Sequence, residues 1–196
     1  GKGNFKRSSA LPSGTNISSQ GIAASDIDND GDVDLFIGGR LIPERYPYAP
    51  ESFLLINDNG KFTKKILAVD NLVSAAKFAD LNGDGYQDLV TVGEWSPVNV
   101  FINNKGSFES SGNTPLKETN GLWFSLNIID VDGDGDMDLL AGNLGLNTKF
   151  KANKKKKFQV YCKDFDNNGT FDVVLSTNYK GYDVPTRGKE CSSQQM

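Results

Sequence analysis

One short segment is written four times in this chain. It reads Asp26-Ile-Asp28-Asn-Asp30-Gly-Asp32-Val-Asp34-Leu, then Asp80-Leu-Asn82-Gly-Asp84-Gly-Tyr86-Gln-Asp88-Leu, then Asp130-Val-Asp132-Gly-Asp134-Gly-Asp136-Met-Asp138-Leu, and last Asp164-Phe-Asp166-Asn-Asn168-Gly-Thr170-Phe-Asp172-Val. An acid or amide stands at positions 1, 3, 5 and 9 and glycine at 6, and successive starts lie 54, 50 and 34 residues apart. A repeat at this period constrains the fold more than any bulk property. Each copy belongs to one supersecondary unit that buries its apolar face against its neighbours.

The residues around each copy read as strands. Apolar runs are short, as in 35 to 39, 53 to 56, 88 to 93, 98 to 102 and 138 to 142, each bounded by Gly, Asn or Asp. Such lengths fit strands and are too short for helices of three turns. Every acidic segment follows a β-like stretch: Ile22 to Ser25, Ser74 to Ala79, Leu126 to Ile129 and Gln159 to Lys163. A second echo, Gly3-Asn4-Phe5, Gly60-Lys61-Phe62 and Gly106-Ser107-Phe108, precedes the loops. Two of its copies follow Asn-rich turns at 57 to 60 and 103 to 106. These turns predict hairpins between 52 to 57 and 61 to 65, and between 98 to 103 and 107 to 110.

The repeating unit is therefore strand, acidic loop, strand, connection, strand, Asn-Gly turn, strand, which is the content of one propeller blade. The predicted class is all-β, with four-stranded, propeller-like blades. Residues 1–196 form one propeller segment: 1–20 end a preceding blade and link it, 21–72 carry the first loop, 73–120 the second, 121–157 the third, and 158–196 begin a fourth blade. Only 21 to 65 and 73 to 110 read as complete, and the third unit has little room for a second hairpin. A closed ring needs at least about four blades. The chain is thus expected to be part of a longer ring, of seven blades for instance.

The loops demand a cation. In the first and third, five carboxylates fall within nine residues; at ~4 Å and an effective dielectric near 20, each like-charge pair costs about 4 kcal/mol. Hard oxygen ligands at alternating positions suit calcium, which takes about six to eight oxygens. Residues 1, 3 and 5 turn inward, Gly at 6 supplies the bend, position 7 offers its carbonyl and position 9 closes the shell. The expected ligands are Asp26, Asp28, Asp30, Asp32 and Asp34; Asp80, Asn82, Asp84, Tyr86 and Asp88; Asp130, Asp132, Asp134, Asp136 and Asp138; and Asp164, Asp166, Asn168, Thr170 and Asp172. Up to four structural calcium ions follow. An EF-hand or dockerin-like loop begins alike but needs a carboxylate at position 12 and a helix beyond. Position 12 here is Ile37, Thr91, Ala141 and Leu175. Magnesium suits a cage of many protein oxygens poorly. The plain alternative is four solvated Asp-Asn-Gly turns.

Composition narrows the function further. The 196 residues include no histidine, which removes His-dependent nucleophile pairs, His-ligated zinc and imidazole proton shuttles. With 21 Lys+Arg against 25 Asp+Glu there is no basic excess, so nucleic acid is not an expected partner. The loops hold 16 of those 25 acids, and four calcium ions would turn the formal charge from -4 to roughly +4. No run of about 18 apolar residues exists, so a transmembrane helix is not expected. The two cysteines, Cys162 and Cys191, allow at most one disulfide, and Cys162 reads as a buried thiol.

At these loops the sequence resembles the FG-GAP/VCBS repeat family of calcium-binding propellers. The segments Phe36-Ile-Gly-Gly-Arg40, Val92-Gly-Glu-Trp95, Ala141-Gly-Asn-Leu-Gly-Leu-Asn147 and Asp164-Phe-Asp-Asn-Asn-Gly169 resemble its bacterial branch, which is itself similar to cartilage acidic protein. The resemblance implies side-chain ligands at positions 1, 3, 5 and 9 with the carbonyl of 7. With Asn168 the fourth loop is expected to bind most weakly, and the second, with Asn82, next. It also implies an extracellular or bacterial outer-membrane location, with a lipoprotein form possible in such families.

The functional expectation is a non-catalytic binding or scaffolding module whose partner is a protein or glycan at the cell surface, or the rest of its own parent chain. Two alternatives stay open. One is a polysaccharide-active enzyme, with Glu44, Glu94 and Glu118 as candidates among the nine acids outside the loops, though their spacing pairs none of them. The other is an accessory lipoprotein of an outer-membrane uptake or secretion complex. The lysine run 149 to 157 reads as a solvated connection before the fourth loop, with a patch for acidic glycans or lipid headgroups as the alternative. Trp95, Trp123, Tyr46 and Tyr48 read as packing between blades or as a sugar platform, and 40 to 50, with three prolines, as an ordered insertion.

Overall fold

The computed structural model describes residues 11–69, 71–112 and 115–188; Gly3-Asn4-Phe5 and Cys191 lie outside the described residues. The first unit is a four-stranded antiparallel meander, β1 (Ser19–Ser25), β2 (Asp34–Gly39), β3 (Ser52–Asp58) and β4 (Lys61–Leu67). The second repeats it as β5 (Leu72–Ala79), β6 (Asp88–Ser96), β7 (Asn99–Asn104) and β8 (Ser107–Ser110). Both predicted hairpins are present, and their tips explain themselves. Asn59 and Gly60 have φ of 51° and 87°, Lys105 and Gly106 of 54° and 83°. Two successive left-handed residues make the two-residue turn that matches strand twist.

The third unit departs from four strands. After a short 3-10 helix at Pro115–Glu118 it supplies β9 (Gly121–Ile129) and β10 (Asp138–Asn143), and residues 144–157 contain no strand. Instead of standing alone, β9 is bonded to the far end of β6 through Glu94↔Leu122 and Ser96↔Gly121. The register slips between those pairs, where Trp95 has φ +60°; a bulge there turns the end of β6 toward the next unit. A three-stranded sheet follows, β11 (Phe158–Lys163), β12 (Asp172–Tyr179) and β13 (Tyr182–Pro185). Its last hairpin turns at Lys180-Gly181, φ 52° and 89°, a turn the sequence reading missed. The fold is thus all-β, a row of antiparallel, propeller-like sheets.

The core lies between units. Ala23, Phe36 and Leu54 of the first sheet meet Val73, Ala76, Leu89 and Phe101 of the second, with Ile27 from the first acidic loop fully buried among them. Val90, Val92 and Val98 meet Leu126 across the next junction, with Leu81 from the second loop packed on that cluster. Position 2 of the loop is thus an apolar plug. At the third and fourth loops the same position, Val131 and Phe165, is exposed.

Sheets approach closely only where side chains are missing. A Cβ at Gly38 would sit 2.5 Å from Cγ1 of Val73, and one at Gly21 would meet the same methyl at 2.5 Å. These glycines let β5 settle on β1 and β2.

Candidate metal centres

Each acidic segment joins the first two strands of its unit, and all four adopt the same backbone. Gly31, Gly85, Gly135 and Gly169, at position 6, have φ of 96°, 86°, 96° and 88°. Position 4 is left-handed too: Asn29 at 62°, Gly83 at 75°, Gly133 at 80° and Asn167 at 58°. Only glycine and asparagine enter that region readily. The sequence carries this rule at position 4 as Asn29, Gly83, Gly133 and Asn167, uncharged residues set between the acidic ones.

The carboxylates themselves fold the loop. Position 1 accepts from the N–H of glycine 6 in every copy: Gly31 to Asp26 2.9 Å, Gly85 to Asp80 2.9 Å, Gly135 to Asp130 3.0 Å and Gly169 to Asp164 2.9 Å. Position 5 accepts from the N–H of residue 7, as in Asp32 to Asp30 at 2.8 Å and Thr170 to Asn168 at 2.8 Å. Position 9 closes back onto the N–H of residue 2: Ile27 to Asp34 3.0 Å, Leu81 to Asp88 3.0 Å, Val131 to Asp138 2.9 Å and Phe165 to Asp172 3.0 Å. In the first two loops both oxygens at positions 1 and 9 accept such bonds, Asp26 from Asp30 and Gly31 and Asp80 from Gly83 and Gly85 among them.

What converges is the trio at positions 1, 3 and 9. Asp26, Asp28 and Asp34 bring carboxylate oxygens within 4.8 Å of one another, as do Asp130, Asp132 and Asp138, and Asp164, Asp166 and Asp172. The second loop has Asn82 at position 3, and that amide turns to Asp84, donating to its carboxylate at 3.0 Å and accepting from its N–H at 3.0 Å. The carboxylates of Asp30, Asp32, Asp134 and Asp136 fall outside the trios. Asp84, Asn168, Tyr86 and Thr170 take the corresponding places at positions 5 and 7.

Electrostatics separates the loops. In the first, burial pushes the Asp28 carboxyl above its ordinary value, and the charges of Asp30, Asp34 and Asp26 push it further. Its Oδ1 is buried without a hydrogen-bond partner among the described residues. An anionic oxygen in that position lacks a counter-charge. In the second loop the N–H groups of Gly85, Gly83, Asp84 and Asn82 hold Asp80 below the usual carboxylate range. Calcium fits this donor set: hard oxygens only, several of them anionic, one of them orphaned.

A second layer was missed from the sequence. The backbone N–H of Asn57 donates to Asp34 Oδ1 at 2.7 Å, and that of Asn103 to Asp88 Oδ1 at 2.8 Å. Their side chains accept from the turn glycines, Gly60 and Gly106, at 2.8 Å each. Asn103, fully buried, also donates to the carbonyls of Gln87 at 3.0 Å and of Ile27, in the preceding unit's loop, at 2.7 Å. Asn29 in turn reaches the carbonyl of Gly85 at 3.2 Å. The Asn-rich turns that read as hairpin tips therefore also clasp the acidic loops and tie loop one to loop two.

The acids outside the loops are held elsewhere. Glu94 pairs with Arg40 and accepts from the Tyr46 hydroxyl at 2.6 Å, while Trp95 Nε1 donates to that hydroxyl at 2.5 Å. Burial, then the bond to Glu94, pushes Tyr46 up to about 12. The insertion 40 to 50 is thereby anchored on β6. Glu118 meets Lys154 at 2.6 Å on the surface, and Glu44 has φ +63° in the insertion. The four aromatics do not make one platform: Trp123 packs on the second core cluster and donates to Thr119, and Tyr48 lies by Phe171. Cys162, expected to be buried, is half-buried, and its thiol donates to the Tyr46 carbonyl at 3.0 Å.

Residues 80–141 match the family described as FG-GAP-like repeat. The match starts at the first residue of the second acidic loop and ends three residues past the third. No curated protein matches the chain.

Proposed function

We propose, from a chain whose middle third is an FG-GAP-like repeat, a calcium-stabilised module that binds or scaffolds and does not catalyse. Each loop would hold one calcium through positions 1, 3, 5 and 9 and the carbonyl of 7, and the ion would supply charge neutralisation and rigidity. The observation that supports this most is the recurrence of one converging trio, with Asp28 Oδ1 left without a donor. The clasp from Asn103 to two loops supports a role in presentation, since fixing one loop fixes its neighbour.

The partner in this reading is a protein or glycan outside the cell, or further repeats of its own parent chain. No helix among the described residues is long and apolar enough to cross a membrane. The non-catalytic part rests on Glu94, whose two oxygens are engaged by Arg40 and Tyr46. Calorimetric titration tests the reading. Calcium should bind at several sites with Kd of about 10⁻⁴ to 10⁻³ M, as extracellular modules do, with magnesium far weaker. No calcium heat, or equal binding of magnesium, would defeat it.

A further inference from the structure

A cavity of about 680 Å³ opens between the third unit and the last sheet, away from the acidic loops. Its volume is that of a small-ligand site. Aromatic rings from two sheets meet in its wall: Trp95, at the bulge of β6, and Phe158, at the start of β11, lie 5.5 Å apart between centroids. Three lysines, Lys117, Lys154 and Lys157, line it against a single acid, Glu118. Lys154 is already bonded to Glu118. Lys117 and Lys157 make no ion pair among the described residues. Gln159 also lines the cavity, and its Oε1 is buried without a hydrogen-bond partner among the described residues.

We infer that this cleft binds an acidic saccharide of the uronate type. Three demands must be met by one ligand: an anion for the lysines, a hydroxyl donor for the Gln159 oxygen, and an apolar face for the Trp95–Phe158 wall. A sugar acid carries all three. A neutral sugar leaves the lysines unanswered, and inorganic phosphate leaves the aromatic wall bare. The Glu118–Lys154 pair spans from the 3-10 helix to the lysine loop, so it competes for one of the cations the ligand would use.

The inference rests on the chain being a binding module and supplies its ligand class. It is tested by calorimetric titration of the full chain with trigalacturonate at one fixed calcium concentration, with maltotriose and inorganic phosphate as comparisons. Trigalacturonate should bind, maltotriose at least roughly tenfold more weakly, and phosphate more weakly still. Lys117→Ala and Lys157→Ala should each weaken trigalacturonate binding by roughly tenfold, Gln159→Leu should weaken it, and Glu118→Gln, which releases Lys154, should strengthen it. The two exposed lysine substitutions keep the test valid if Gln159→Leu fails to fold. Equal binding of maltotriose or phosphate would overturn the assignment. So would lysine variants that bind as the parent does, the result expected if the uronate merely bridges to protein-bound calcium. Absent saccharide binding beside intact calcium binding sinks this inference alone, whereas absent calcium binding sinks the reading beneath it.

Discussion

Asp28 carries the sharpest conflict in the molecule. Its side chain is partly withdrawn from water, sits among Asp26, Asp30 and Asp34, and leaves Oδ1 unpaired. Without a cation the ionised form is a cost to folding; in the proposed calcium site it would be a ligand. Asp28→Asn should therefore act in opposite directions. In chelator it should raise the melting temperature, because a desolvated, repelled charge is gone. In calcium it should lose roughly tenfold or more of the first loop's affinity. Melting curves and calorimetry on one variant read both. Asn103 is the complementary case, a neutral side chain whose value is purely connective. Asn103→Ala would strand the carbonyls of Ile27 and Gln87 in a buried site, and should cost about 1–3 kcal/mol in denaturant unfolding.

Among the elements, legibility followed locality. Alternation and turn chemistry placed β2, β3, β7 and β8 to within about a residue and left β1, β4, β5 and β6 two or three residues short at one end, because strand and hairpin signals are written in neighbouring side chains and fade toward strand ends. The acidic loops were likewise readable from their spacing, which grouped position 5 with 1, 3 and 9, whereas the structure draws together only 1, 3 and 9. Asn103 was not, since its partner Ile27 lies 76 residues away and nothing local marks the bond. The junction of β6 with β9 was missed for the same reason: it depends on a left-handed Trp95, a residue no propensity assigns to that conformation. The Arg40–Glu94–Tyr46 network joins an insertion to a strand 54 and 48 residues on, again without a local sign. Close packing of sheets has a single-residue test. Gly38→Ala drives a methyl into Val73 and the carbonyl of Gly21, and should destabilise by about 1–3 kcal/mol, read as a lower denaturant midpoint with unchanged slope.

For the whole molecule, charge and packing are coupled through the loops. Ile27 and Leu81 extend from acidic loops into the two inter-unit cores, so a loop that loosens withdraws a plug. Neutralising the carboxylates should accordingly stabilise sheet-to-sheet packing and the loops together, as one cooperative unit. Calcium at about a hundred times its Kd contributes about 2.7 kcal/mol per site, which for a chain of this size is on the order of 5–10 °C. The most direct measurement is thermal unfolding by calorimetry, first in excess EDTA and then after calcium is restored above the chelator. A melting temperature that falls by on the order of 10 °C or more in EDTA, and returns with calcium but not with magnesium, is the predicted result. Superimposable curves in the two conditions would contradict the central claim that these loops are metal clasps.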